Sequence, residues 1–213
     1  MMVGEIRDEE TADTALKAAM TGHLVFSTLH TNSSAAAIPR LLDMGIEPYL
    51  LASTIRAVAA QRLPRKICPH CIEAYPITPE VLRNITDTMA GIKGFDLVSY
   101  INRVYTSKNT GEQKDKNIMK PVEKGSDGSP VIYMYRGKGC DRCNGTGYAG
   151  RIGIFEVLNV SDKISRMIME NVTDADIKNT AVEEGMITMI QDGYLKALEG
   201  ITTIEEVLRV SKE

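Results

Sequence analysis

Two blocks near the start of the chain carry residues able to act on a phosphoanhydride. Met1 to Asp8 reads Met-Met-Val-Gly-Glu-Ile-Arg-Asp, an apolar run that ends in Glu5, with Arg7 and Asp8 just beyond. A short buried strand that delivers a carboxylate at its tip can hold a water in line with a terminal phosphate. Glu5 is therefore the candidate for the residue that orients or deprotonates the attacking water; the plainer reading is a strand-terminal acid capping a turn. Residues 23–32, His-Leu-Val-Phe-Ser-Thr-Leu-His-Thr-Asn, form the second block, again with polar groups at the far end of an apolar run. Ligands of open α/β sheets sit at the carboxyl ends of strands, so both blocks are expected to face one crevice. His23 and His30 lie an odd number of residues apart, which puts them on opposite faces of a strand. His30, between Thr28 and Thr31, is the better placed for a γ-phosphate, and its imidazole can donate there. His23, at the strand start, reads as structural, satisfied by backbone or by an acid. Arg7 ranks first among the arginines as a charge-stabilising group because it follows Glu5 on the same strand edge; Arg151 comes next.

Four cysteines form the strongest local signal. Cys68 and Cys71 make one Cys-x-x-Cys pair, Cys140 and Cys143 the other. Two thiolates from one tight turn can share a tetrahedral ion, and two such knuckles complete a closed tetracysteine zinc site that is structural rather than catalytic. A redox dithiol or unrelated buried cysteines are the competing readings. Gly145-Thr-Gly147 supplies the tight backbone that such a knuckle needs. A phosphate-cradling Gly-x-x-x-x-Gly-Lys-Ser/Thr does not occur; Gly137-Lys138 is followed by Gly139 and has Ile132 where the first glycine belongs. That half of a nucleotide site is expected upstream of Met1.

These groups must be held by elements the pattern also announces. Asp8 can cap a helix from Glu9 that Gly22 ends. Residues 23–29 read as a strand buried on both faces. Asn32 or Ser33 can cap the next helix, which Pro39 kinks or delays and Gly45 closes. Pro48 suits the first turn of a third helix carrying Leu51, Ile55 and Val58 on one stripe, and Pro64 stops it. Weaker helices are expected near residues 79–90 and 95–105, and a mobile polar loop over residues 107–130. Residues 151–158 read as a strand. The tail reads as helices starting at Ser161, at Thr173 with Asp176, and at Thr203 with Glu206 as a capping box, with Gly185 and Gly200 as stops.

Composition narrows the classes. The 213 residues carry a net charge of −3 with both signs mixed, which offers no basic face for nucleic acid. No apolar run is long enough for a transmembrane helix, and no secretory signal is present. Paired cysteines in that setting favour a metal site over disulfides.

Gly4-Glu-Ile-Arg-Asp-x-Glu-Thr-Ala and Thr21-Gly-His-Leu-Val-x-Ser-Thr-Leu-His-Thr-Asn closely resemble the type II secretion and type IV pilus assembly ATPases, the GspE and PilB proteins. Arg40-Leu-Leu-Asp-Met-Gly45, Ala60-Gln-Arg-Leu63, Cys68-Pro-His-Cys71, residues 140–156 and Asp192-Gly-Tyr-Leu-Lys196 extend the resemblance, which spares only roughly residues 85–130. It implies an α/β fold: the C-terminal half of a RecA-like ATPase domain (residues 1–63), an inserted tetracysteine zinc-binding subdomain (64–150), and a returning core strand with a small helical domain (151–213). It implies ATP, Mg2+ and Zn2+ as cofactors. It treats residues 23–32 as one histidine box, so His23 and Thr31 join, with Arg151 of a later family-like motif, as nucleotide-contacting candidates beside Glu5, His30 and Arg7. Where a common Walker B motif has Asp before its Glu, this chain has Gly4, so magnesium would lean on an upstream hydroxyl and water. The implied whole is a homohexamer, cytoplasmic and peripheral to the inner membrane, docked on a polytopic platform protein, with no nucleic-acid partner. The chain as given is expected to be a C-terminal part that does not hydrolyse ATP by itself. Retraction motors resemble the same core without the tetracysteine insert, so the cysteines favour the assembly and secretion branch. Two other readings stand beside this one: a non-catalytic docking or oligomerisation module, and a zinc-ribbon nucleic-acid binder.

Overall fold

The computed structural model describes residues 1–109, 119–126 and 128–211, which divide into two compact units. The first comprises residues 1–61 and 156–188, the second residues 62–155 and 189–213.

In the first unit, the opening segment and residues 23–29 run side by side in parallel. Val3 donates its N–H to the Phe26 carbonyl, Phe26 donates to Met1, and Ile6 donates to Thr28. Only the Met2–Phe26 pair forms a regular bridge, so the two expected strands are a short parallel ladder. Ile6 and Leu29 pack on the unit's core, but Leu24 and Phe26 are 70 % and 58 % exposed. The expectation of burial on both faces is thus corrected: the ladder has two members, and among the described residues nothing covers its second face. Helix α1 (Glu9–Met20) starts where Asp8 accepts from the Thr11 N–H at 2.8 Å. Helix α2 (Ala37–Asp43) starts late, with Pro39 in its first turn, where a missing N–H does no harm. The Asn32/Ser33 cap lies upstream of it, Ser33 Oγ accepting from the Ala36 N–H.

Helix α3 (Pro48–Thr54) opens on its proline but stops ten residues before Pro64. Residues 57–62 are instead strand β1 (Ala57–Arg62), so the expected stripe breaks after Leu51. The segment carries helix-forming alanines, but later in the chain it finds a partner strand, and pairing overrides propensity. In the second unit come β2 (Arg65–Ile67), β3 (Ile72–Pro76), α4 (Pro79–Met89), α5 (Leu97–Asn109), β4 (Glu123–Lys124), β5 (Pro130–Val131), β6 (Tyr133–Gly137) and β7 (Tyr148–Arg151). Strand β8 (Ile154–Asn159) pairs with β1, β2 with β7, β3 with β6, and β4 with β5. The returning strand expected at residues 151–158 is therefore split between β7 and β8.

The polar stretch 107–130 is not the uniform loop its composition suggests. Residues 110–118 and 127 lie outside the described residues. Of the rest, Met119 is buried with Ile67 and Tyr135, the Lys120 N–H donates to the Tyr135 hydroxyl, and β4 and β5 form a hairpin. One apolar anchor and one buried acceptor are enough to order residues that look solvated.

The tail holds α6 (Asp162–Met169), α7 (Asp174–Glu183), α8 (Met189–Leu198) and α9 (Ile204–Ser211). Ser161, Thr173 and Thr203 each cap as expected, accepting from Ile164, Asp176 and Glu206. Glu206, however, sends its carboxylate to Arg65 and Arg209. Ile38, Leu51, Leu158, Ile164, Ile168 and Ile177 form the first unit's core, each under 2 % exposed.

Candidate active site and metal centre

Glu5, Ile6, Arg7, Leu29 and His30 line one open cavity of about 210 Å³, together with Arg40 of α2 and Met44 just after it. Both sequence blocks therefore face the same space. The parallel ladder puts them there, because the Ile6–Thr28 bond and the Thr28 Oγ1 bond to the Gly4 carbonyl (2.8 Å) clasp the two strand ends around Glu5. The Glu5 side chain is only 21 % exposed; Oε2 accepts from Arg7, while Oε1 is buried without a hydrogen-bond partner and has His30 as its charged neighbour. His30 Nε2 lies 2.5 Å from Oε1, and the Arg7 guanidinium meets Oε2 at the same distance. Arg7 and His30 themselves are mostly exposed, at 76 % and 88 %. The result is a half-sheltered acid flanked by two donors that reach into solvent. Such a group can take a proton from a water and can be released by whatever draws the two donors away.

The remaining candidates fall elsewhere. His23 is exposed, with Nδ1 2.9 Å from the Thr21 hydroxyl, a partner its sequence context does not announce. Thr31 turns its hydroxyl to the Ser33 carbonyl at 3.0 Å. Arg151 belongs to the second unit, where its guanidinium reaches the Leu63 carbonyl at 3.5 Å. Arg40 is one of the arginines in the family-like motifs that the sequence ranks below Arg7 and Arg151, yet it puts a second guanidinium on the cavity. Its place in Arg-Leu-Leu-Asp-Met-Gly45, one helix beyond the histidine block, is the signal that points to it.

In the second unit, the pairing of β2 with β7 and β3 with β6 brings two distant turns together. Cys68 and Cys71 sit between β2 and β3; Cys140 and Cys143 sit between β6 and β7. All four are free thiols, and their sulfurs lie within 4.8 Å of one another. Cys68–Cys140 and Cys71–Cys143 are 3.9 Å apart, and Cys140–Cys143 3.7 Å. Four thiolates at about 2.3 Å around a tetrahedral ion would stand about 3.8 Å apart, so the donor set fits a tetracysteine zinc site. The sulfurs are too far apart for disulfides. Burial pushes the Cys71 thiol up to about 12. Burial also raises Cys143, but the backbone N–H groups of Cys140 and Gly147, at 3.2 and 3.3 Å from its sulfur, bring it down to about 6. The Cys143 thiolate is thus already favoured. The two arms of the Cys140/Cys143 knuckle can close because Gly147 (φ 76°) faces Gly137: a Cβ on Gly147 would lie 2.5 Å from the Gly137 carbonyl oxygen.

Comparison with known proteins agrees with the motifs. The profile of the family described as "Type II/IV secretion system protein" matches residues 1–209. The chain is 42% identical over 209 residues to the type IV pilus assembly ATPase PilB of Thermus thermophilus, covering 98% of this chain and 19% of that protein. It is 38% identical over 213 residues to type II secretion system protein E of Pseudomonas aeruginosa, covering 100% of this chain and 34% of the relative. The chain thus spans between about a fifth and a third of these relatives' lengths. Among solved structures, the Yersinia pseudotuberculosis ATPase DotB superposes with a TM-score of 0.54 at 19% identity, over 99% of this chain and 36% of DotB, which speaks to fold alone. No helix among the described residues is long and apolar enough to cross a membrane. Motifs, α/β architecture and the full-length profile match converge: the chain belongs to the type II/IV secretion system protein family.

Proposed function

We propose that this chain is the C-terminal part of a hexameric, ATP-hydrolysing motor that drives type IV pilus assembly or type II secretion. The observation that carries the reading is the placement of Glu5 between Arg7 and His30 at the tip of a parallel ladder, in a chain 42% identical to a pilus assembly ATPase. Bound ATP with Mg2+ would supply the scissile anhydride and the charge that positions it. Glu5 accepts the proton of the attacking water. His30 and Arg7, which hold that carboxylate here, donate to the terminal phosphate as charge moves onto it. Arg40 adds positive charge to the same cavity, and His23, Thr31 and Arg151 contribute at its margin or across a subunit boundary. Zn2+ on Cys68, Cys71, Cys140 and Cys143 staples the second unit and takes no part in hydrolysis. The motor works on the cytoplasmic face of the inner membrane, docked on a platform protein of the pilus or secretion machine.

These 213 residues hold no phosphate-cradling loop, so by themselves they do not turn over ATP. The test is Glu5→Gln in a protein that joins this chain to such a loop. Turnover falls by roughly 10²–10⁴-fold, the usual worth of a positioned general base, while nucleotide still binds. Near-normal turnover in that variant would make Glu5 a turn cap and sink the assignment.

A further inference from the structure

The loop that carries His30 is held at both ends. Thr28, before the loop, is bonded to Gly4 and Ile6 on either side of Glu5. Ser34, four residues after His30, is fully buried. Its N–H and its hydroxyl both donate to Oε1 of Glu156, at 3.0 and 2.6 Å, across 122 residues of sequence. Glu156 is itself 3 % exposed, in the middle of β8, where its neighbours Ile154 and Leu158 on the same face are core residues. An acid at an alternating core position of a strand is expensive unless it is fully engaged. A hydrophobic residue would pack there at less expense, so the carboxyl needs a task. The pair also sits just before α2, whose Ala37 N–H donates to the Ser34 carbonyl and whose Arg40 lines the Glu5 cavity.

We propose that Glu156 is a positioning residue: by gripping both donors of Ser34 it pins the far end of residues 29–33 and so sets His30 against Glu5. This rests on the reading of Glu5 and His30 as one site. His30 is 88 % exposed and has few contacts of its own to hold its ring in place. Its position is therefore decided by the two clasps that bound its loop, Thr28–Gly4 on one side and Ser34–Glu156 on the other. Loops that carry reacting groups act through geometry, and small displacements weaken them steeply.

Histidine-selective NMR of the full chain tests this without calling on catalysis, since His23, His30 and His70 are its three histidines. In the parent chain, Glu5→Gln displaces the His30 ring resonances and leaves His70 in place. In Glu156→Ala, or in Ser34→Ala should the first variant fail to fold, that Glu5-dependent displacement collapses to the level seen at His70. His23 and His70 keep their own positions, which a general loss of structure would not allow. Glu156→Gln retains an oxygen that accepts from both Ser34 donors and restores the parent response. A His30 response to Glu5→Gln that is undiminished in a folded Glu156→Ala or Ser34→Ala chain overturns the proposal, as does a Gln variant no better than Ala. A His30 ring indifferent to Glu5→Gln in the parent chain removes the site reading itself, and the anchor with it.

Discussion

Glu206 is a buried carboxylate engaged by two arginines, and replacing it with Gln should open the second unit measurably. Only 3 % of its side chain is exposed. It accepts from the Arg65 backbone N–H at 3.0 Å, from the Arg65 guanidinium at 2.6 Å, and from Arg209 at 3.0 and 2.9 Å. Arg65 in turn stacks over the Tyr148 ring at 4.3 Å. Removing one partner of a fully buried ion pair costs about 3–5 kcal/mol. Here Arg65 and Arg209 keep 42 % and 47 % of their side-chain surface in water, so both rehydrate once released. Discounting for that exposure leaves about 2 kcal/mol for Glu206→Gln. The effect is roughly 30-fold on a local opening equilibrium. Native-state hydrogen exchange at neutral pH reads it at the amides of Ile67 and Val207, which donate to the Ile201 and Thr203 carbonyls. Glu205→Gln, exposed and one residue away, serves as the control and stays within about 0.5 kcal/mol. The Arg65 guanidinium also holds the Glu206 carboxyl well below the usual carboxylate range. A depressed folded pKa means the contribution is complete above the unfolded value of about 4.3 and fades as pH falls below it. The wild-type advantage over Glu206→Gln should therefore shrink on acidification. Equal protection of Ile67 and Val207 in the two chains at neutral pH would refute the reasoning, as would a difference that survives unchanged into strong acid.

Other outcomes are as direct. One zinc per chain should co-purify under reducing conditions, and chelation should raise exchange in the second unit while sparing α1 to α3; elemental analysis without metal would count against the tetracysteine zinc reading. Gly147→Ala should abolish metal retention as effectively as Cys143→Ser, because the added Cβ would sit 2.5 Å from the Gly137 carbonyl oxygen at a positive φ. Zinc content at the parent level in that variant would show that the close approach of Gly137 and Gly147 is not what shapes the Cys140/Cys143 knuckle. Tyr135→Phe should cost about 0.5–1.5 kcal/mol and speed exchange at Lys120, whose N–H donates to the lost hydroxyl at 2.8 Å. An unchanged Lys120 amide would mean that the ordering of residues 119–126 has another source.

Local signals in the sequence were reliable wherever the physics is local. Asp8, Ser161 and Thr173 cap the helices they precede, and Pro48 opens α3, because a cap bond or a fixed φ involves only the next few residues. The two Cys-x-x-Cys turns are equally local, and so is the acid that follows an apolar run at Glu5. Such motifs announce which groups a turn or strand tip will present; the chemistry proposed for them rests on the tests above. Tertiary structure decided what depends on a distant partner. Residues 57–62 read as the end of a helix and are a strand, since β8 lies almost a hundred residues further on. Leu24 and Phe26 read as core and stand exposed, since burial belongs to whatever packs against a strand and not to the strand. Arg40 joins the Glu5 cavity only because α2 folds back beside it. Glu156 looks like an ordinary strand acid and Glu206 like a capping-box partner of Thr203; their long-range donors, Ser34 and Arg65, are 122 and 141 residues away. A buried carboxyl is defined by the groups that satisfy it, and no spacing rule along the chain reports on groups that only folding brings within reach.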